Sequence, residues 1–298
     1  PITSEETLER CAGLAAGEGD VFICSFPKSG TTWTQAIVHE LLRLEHELSG
    51  GGEAGVGHIS DFAPFFEVDR TWAGGTPAHR CYGVRAFNTH LRWNMMPRAP
   101  GARYIYVYRC GEDVCTSFYH HLRNQAAEDG GFAGGFDEFL EAFLRGEIAF
   151  GKWAHHLQSW IPLREGEGAG GEHQLLFLRY EALKASPRAE VARVAEFLGL
   201  RHVNVGGDDA HAEAVLGAVS FEGMRAEAAF YQPRSVRWEN GFQFLRRGAK
   251  RDSENLFSPA QFARFRAQVA EDFGGALPGW FVKEGLLVSG SGADVEAA

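Results

Sequence analysis

Short apolar, β-favouring runs alternate along the chain with longer stretches of helical spacing. Val21–Phe26 is such a run, and a helical pattern follows from Thr32 to Leu44. Tyr104–Tyr108 repeats the arrangement, leading through Arg109-Cys110-Gly111-Glu112 into a helix that reaches about Arg123. Gln174–Leu178 is a third run, before the helix Pro187–Leu198. There a proline in the first turn and Gly199 just past the last mark start and stop. Phe136–Leu144, Lys152–Ile161 and Ala260–Asp272 also read as helices. Gly50–Gly57, Gly130–Gly135 and Gly166–Gly171 read as surface loops, and the small polar tail Ser289–Ala298 as disordered. Repeated strand–helix units predict an α/β fold, a central parallel sheet with helices on both faces. No internal repeat or linker divides the chain, so residues 1–298 are expected to form a single domain.

Composition narrows the function classes. The 298 residues are 45% apolar and 23% charged, enough for a sizeable core. A formal net charge of −10 argues against nucleic acid or an anionic membrane as a partner, since both require a basic footprint. It leaves room for a local basic pocket. The five cysteines are odd in number and none is spaced C-x-x-C, which suits reduced, intracellular thiols. No apolar run approaches the roughly 18 residues of a membrane span, and no basic-then-apolar leader opens the chain at Pro1. A cytoplasmic location is expected.

The strongest local signal is Pro27-Lys28-Ser29-Gly30-Thr31-Thr32-Trp33, between a strand and a helix. Backbone N–H groups converge at such a helix N-terminus and bind anions. Gly30 lets an oxyanion approach the backbone, Lys28 adds a compact charge, and Ser29, Thr31 and Thr32 offer hydroxyls. The turn is P-loop-like but is not the NTPase loop, because Lys28 precedes Gly30 and no G-K-[ST] follows. The expected ligand is phosphate-like, with no metal required.

Pro27–Trp33 resembles the 5′-phosphosulfate loop of the cytosolic sulfotransferase family, and the similarity runs from about Val21 to Phe273. Tyr106–His120 resembles the family's 3′-phosphate motif, which implies that Arg109 and Ser117 hold a 3′-phosphate. By charge and position alone, pairing of Arg109 with Glu112 or Asp113 at the surface would be the better reading. Leu245-Arg246-Arg247-Gly248 is similar to the R-K-G segment that closes over that phosphate. Here Arg247 replaces lysine, and Arg251, Ser253 and Glu254 stand where the family has glycine, tryptophan and lysine. The phosphate contact is expected to survive, while the lid's conformation stays open. Tyr180, Ser220, Phe221 and Met224 match residues that surround the adenine, and Trp33 would stack on it. The implied donor is 3′-phosphoadenosine 5′-phosphosulfate (PAPS), and the implied product 3′-phosphoadenosine 5′-phosphate.

Sulfuryl transfer, by analogy with phosphoryl transfer, needs in-line positioning, charge stabilisation and a base. Among twelve histidines, the adjacent pairs His120-His121 and His155-His156 point to different helix faces, and no metal-ligand spacing occurs. His90, in Asn88-Thr89-His90-Leu91, resembles the family's K-T-H-L segment, which implies that it is the general base. Asn88 departs from the family's lysine, so Lys28 would carry more of the leaving-group charge and the reaction would be slower or differently tuned.

Phe62, Phe65, Phe66 and Trp72 form one aromatic stretch; Phe230, Tyr231, Trp238, Phe242 and Phe244 form another. Either they line a pocket for an apolar or aromatic acceptor, with Phe62, Phe65, Phe66 and Tyr231 as candidates, or they fill core under long loops. The partner is a small acceptor with a hydroxyl or amine. The family's K-x-x-x-T-V-x-x-x-E pairing segment is not recognisable, which leaves the oligomeric state open. A P-loop kinase or NTPase using ATP and Mg²⁺ would lack its G-K-[ST]. A catalytically silent nucleotide binder would not need His90.

Overall fold

The structure, a computed structural model, describes residues 3–52, 55–72, 74–77, 79–164, 174–248 and 250–288. The loop Gly166–Gly171 and the tail Ser289–Ala298 lie outside the described residues. Four strands, β1 (Asp20–Cys24), β2 (Arg85–Thr89), β3 (Arg103–Tyr108) and β4 (Gln174–Arg179), form a parallel sheet in the order β2-β1-β3-β4. Ile23 of β1 pairs with Asn88 on one side and Ile105 on the other.

Parallel neighbours need crossovers, and helices provide them. α1 (Glu5–Ala12) precedes β1, and α2 (Thr31–Leu48) and α3 (Ile59–Phe62) lie between β1 and β2. Between β3 and β4 run α4 (Gly111–Arg123), α5 (Phe136–Arg145) and α6 (Trp153–Trp160). After β4 come α7 (Tyr180–Ala185), α8 (Pro187–Leu198), α9 (Asp209–Val219), α10 (Phe221–Ala226) and α11 (Ala228–Tyr231). α12 (Pro259–Asp272) and α13 (Gly279–Lys283) end the described chain.

The two-residue strand period splits the core. Phe22, Cys24, Phe87, Tyr104 and Tyr106 face α4, α5, α6 and α12, while Val21, Ile23, Ala86, Ile105 and Val107 face α2, α8 and α9. The first face is aromatic. Phe22 stacks on Phe87 and on Tyr104, each at 5.2 Å, and Tyr106 on Trp160 at 4.8 Å. Burying each such ring stabilises the fold by about 1.5–3 kcal/mol.

The strand order sets the crevice. From β1 the chain moves outward to β2, then returns past β1 to β3. The carboxyl ends of β1 and β3 therefore part at a crossover point, where open α/β sheets bind ligands.

Candidate active site

The turn after β1 brings Lys28 and Gly30 into left-handed conformations, φ 67° and 113°. Gly30 precedes α2 without a side-chain cap, and no acidic residue occupies the helix's first turn. The leading N–H groups of a helix lack intrahelical acceptors, so this end presents donors and partial positive charge. A Cβ on Gly30 would lie 2.9 Å from Tyr180 Cδ2, so the turn depends on glycine. Ser29 does not join the wall: its Oγ is sealed from solvent with no hydrogen-bond partner among the described residues. Thr31 Oγ1 lies 2.5 Å from Ser25 Oγ, which is in turn 3.3 Å from His90 Nδ1.

Lys28 Nζ lies 3.1 Å from His121 Nδ1 and 4.4 Å above the Phe244 ring. Burial first, then the charges of Arg109 and Arg246, lower its pKa to about 7. The cleft thus concentrates positive charge that an anion would relieve. Arg109, at the end of β3, is buried rather than at the surface. Its guanidinium lies 4.3 Å over the Tyr180 ring and 3.4 Å from both Lys28 O and Asp113 Oδ2. Ser117 lines the same wall.

Asp113 also accepts the N–H groups of Arg251 at 2.8 Å and Ser253 at 3.0 Å, and the Ser253 hydroxyl at 2.9 Å, which ties α4 to the segment Arg246–Ser253. Within that segment Asp252 pairs with Arg246 and, at 3.0 Å, with Arg247. Arg251, standing for a glycine in the resemblance, keeps a left-handed backbone at φ 57°. Holding a non-glycine residue in that conformation costs about 1–2 kcal/mol. Gly248 lies against Phe221: a Cβ there would come within 2.7 Å of its ring. Trp33 meets Tyr180 edge-on at 5.5 Å, with its indole N–H donated to Val219 O at 2.8 Å. Phe221 and Met224 line the same slot. Ser220 does not; its hydroxyl is spent donating to Gly217 O and accepting from Gly223 N–H, both at 2.9 Å.

His90 follows β2 directly. Its Nδ1–H donates to Ser25 O at 2.8 Å, which leaves Nε2 as the unprotonated nitrogen. Burial, with Lys28 adding to it, lowers its pKa to about 4 against the opposing Ser25 hydrogen bond. Its main chain is held on both sides. The N–H donates to Glu67 Oε1 at 2.6 Å, and the carbonyl accepts from His156 Nε2 at 3.1 Å. Tyr106 OH donates to His156 Nδ1 at 3.0 Å from the sheet. Asn88, two residues earlier on β2, gives its Nδ2–H to Ala63 O at 2.7 Å.

The rings of Phe65 and Phe150 each meet His90 edge-on at 5.1 Å and stack on each other at 6.3 Å, and Tyr231 also lines the cleft. Phe62 and Phe66, expected beside Phe65, are instead core residues at 1% and 0% exposure and do not line the cleft. Phe65 bridges to Asn88 and Phe66 N–H bonds to Asn88 O at 2.8 Å, so this stretch runs like a strand beside β2. Successive side chains then alternate, Phe65 to the cleft and Phe66 onto Phe22 and Phe87. Phe62 packs on His39 at 5.1 Å. The turn, Arg109, the segment Arg246–Gly248 and His90 all open on one cleft of about 1290 Å³, above the roughly 300–1,000 Å³ of a single-ligand pocket.

A sulfotransferase domain model matches residues 18–276. The chain belongs to the cytosolic sulfotransferase family. Sulfotransferase 1C2 of Oryctolagus cuniculus is 30% identical over 252 residues, 82% of this chain and 80% of that protein. Among solved structures, the mouse sulfotransferase SULT7A1 complexed with PAP superposes with a TM-score of 0.70 at 24% identity, over 95% of each chain. Retinol dehydratase in complex with androsterone and inactive cofactor PAP superposes with a TM-score of 0.69 at 18% identity, over 91% of this chain and 85% of that one. The two superpositions agree with the sheet and helices described above.

Five residues at the sulfotransferase site escaped the sequence reading: Ser25, Glu67, His121, Phe150 and His156. His121 carried a signal, since it lies four residues after Ser117 and so shares its helix face. Phe150 sits at φ 74°, which no sequence pattern announces. Among the described residues, no three His, Cys, Asp or Glu gather as a metal site, and no helix is long and apolar enough to cross a membrane.

Proposed function

We propose that this sulfotransferase moves a sulfuryl group from PAPS to a hydroxyl or amine of a small apolar or aromatic acceptor. The observation that carries the reading is the pairing of two anion sites across the β1/β3 crossover, Lys28 and the α2 N-terminus on one side, Arg109 and Ser117 on the other. Two cationic groupings on one cleft suit a nucleotide with separate 5′ and 3′ anions. The turn from Lys28 to Trp33 would hold the phosphosulfate, with Gly30, Thr31 and Thr32 supplying donors. Arg109, Ser117, Arg246, Arg247 and Gly248 would hold the 3′-phosphate. Trp33, Tyr180, Phe221 and Met224 would flank the adenine. Ser220 would act only through the cap it gives α10.

His90 then takes the proton of the acceptor on Nε2, beside Phe65 and Phe150. As the acceptor oxygen or nitrogen bonds to sulfur, the bond from sulfur to the bridging oxygen breaks in line. Lys28, protonated, stabilises the charge left on that oxygen. With a pKa of about 4, His90 is a free base across the neutral range. Asn88 adds no charge, so Lys28 bears this task with the turn's N–H groups.

The test is turnover. Incubation with labelled PAPS and a panel of phenols, alcohols and amines is expected to yield a sulfated product. His90→Gln should lower kcat by about 10²–10⁴-fold while leaving bisphosphate affinity within about threefold. Failure to sulfate any acceptor class, or full activity in His90→Gln, would refute the reading.

A further inference from the structure

We propose that His121 is a positioning residue for Lys28, accepting a hydrogen bond from its ammonium and aiming it at the oxygen that leaves. The inference rests on the reaction proposed above. The contact is direct: Nζ to Nδ1 is 3.1 Å, and His121 is the hydrogen-bond acceptor of Nζ among the described residues. The imidazole is itself fixed, on α4 at the cleft wall, boxed by Trp238 at 4.9 Å, Phe244 at 6.0 Å and Phe118 at 6.3 Å. The lysine's Nζ also lies 4.4 Å over the Phe244 ring.

A neutral imidazole suits this task better than a carboxylate would. A carboxylate would hold the ammonium harder but cancel the charge the leaving oxygen needs. His121 stays neutral, because burial, with Lys28 and His90 adding to it, holds its pKa well below the ordinary value. The charged groups around Lys28 are the cations Arg109, from the end of β3, and Arg246, from the lid, both of which disfavour its ammonium form. His90, after β2, faces both residues as a neutral ring. A hydrogen bond accepted from the ammonium opposes the cations and favours the charged form. Asn88 has turned its amide to Ala63 O, so it contributes no cation, and the aim of Lys28 matters correspondingly more.

The experiment measures kcat and kcat/KM for PAPS from about pH 5 to 9, alongside adenosine 3′,5′-bisphosphate affinity over the same range, for wild type, His121→Phe and His121→Asn. Phenylalanine keeps the aromatic box and removes the acceptor; asparagine places a carbonyl oxygen near the position of Nδ1. Protonated Lys28 is the active form, so both kcat/KM and affinity decline on the alkaline side. His121→Phe should move that decline down by about half to one pH unit, the worth of one hydrogen bond, and lower kcat several-fold. His121→Asn should restore both. If His121→Phe does not fold, His121→Leu against His121→Asn makes the same comparison. An alkaline limb common to all variants, in a wild type that binds and turns over, overturns this inference alone. A wild type that neither binds bisphosphate nor transfers sulfuryl overturns the underlying reaction as well.

Discussion

Gly30→Ala perturbs the phosphate turn with one methyl group. At φ 113° and ψ 17°, any side chain strains the backbone by about 1–3 kcal/mol. The new Cβ would also stand 2.9 Å from Tyr180 Cδ2 and 3.5 Å from Val107 Cγ2. Tyr180 has little room to retreat, being 6% exposed, braced by Arg109 at 4.3 Å and met by Trp33 at 5.5 Å. Overpacking of this kind adds about 1–3 kcal/mol. If the turn holds its shape, the total of about 2–6 kcal/mol lowers Tm by roughly 3–10 °C. If it relaxes, the N–H donors lose their convergence, and bisphosphate affinity drops more than about tenfold. Calorimetric melting and bisphosphate titration together separate the two responses. Gly217→Ala, inside α9 with nothing within 4 Å of the added methyl, is the control and should be neutral or slightly stabilising. Wild-type Tm together with wild-type affinity in Gly30→Ala would refute the reasoning.

Two further outcomes concern the groups beside His90. Burial raises the Glu67 pKa to about 7, so its contribution to stability is full below the unfolded carboxyl pKa near 4.5 and declines as pH rises toward 7. Glu67→Gln keeps an acceptor for the His90 N–H and should be more stable than wild type by about 1–3 kcal/mol at pH 8, with the gap closing near pH 4; denaturant titration at both values checks this, and a pH-independent gap would contradict it. Asn88→Lys adds an ammonium to the cleft and should raise kcat about tenfold, measured with a phenolic acceptor. Stability should hold within about 1 kcal/mol, because Gln35 still donates to Ala63 O at 3.0 Å; an unaltered kcat would show that the lysine's absence is immaterial here.

The architecture was legible wherever apolar residues ran together or recurred at helical spacing. β1, β3 and β4 announced themselves as apolar runs, and α2, α4, α5, α6, α8 and α12 lie within four residues of the spans their apolar spacing implied. β2 escaped because three of its five residues, Arg85, Asn88 and Thr89, are charged or polar, whereas β4, the other edge strand, keeps the apolar run Leu175–Leu178. Residues contiguous in sequence, such as Lys28 to Trp33, could be read as one turn. Glu67, His121 and His156 could not be placed around His90 and Lys28, because the contacts join segments 23 to 93 residues apart. Phe65 and Phe66 show the same limit at close range: aromatic type was visible, but facing was set by the bridge to Asn88.

The most direct test of the account is calorimetric titration with adenosine 3′,5′-bisphosphate, against ATP–Mg²⁺ as control, for wild type and Arg109→Ala. The account predicts that wild type binds the bisphosphate in preference to ATP–Mg²⁺. It also predicts that Arg109→Ala loses about 30-fold or more, as removal of a buried cation from its anion should cost. Binding of ATP–Mg²⁺ instead, binding of neither ligand, or undiminished bisphosphate affinity in Arg109→Ala would contradict it.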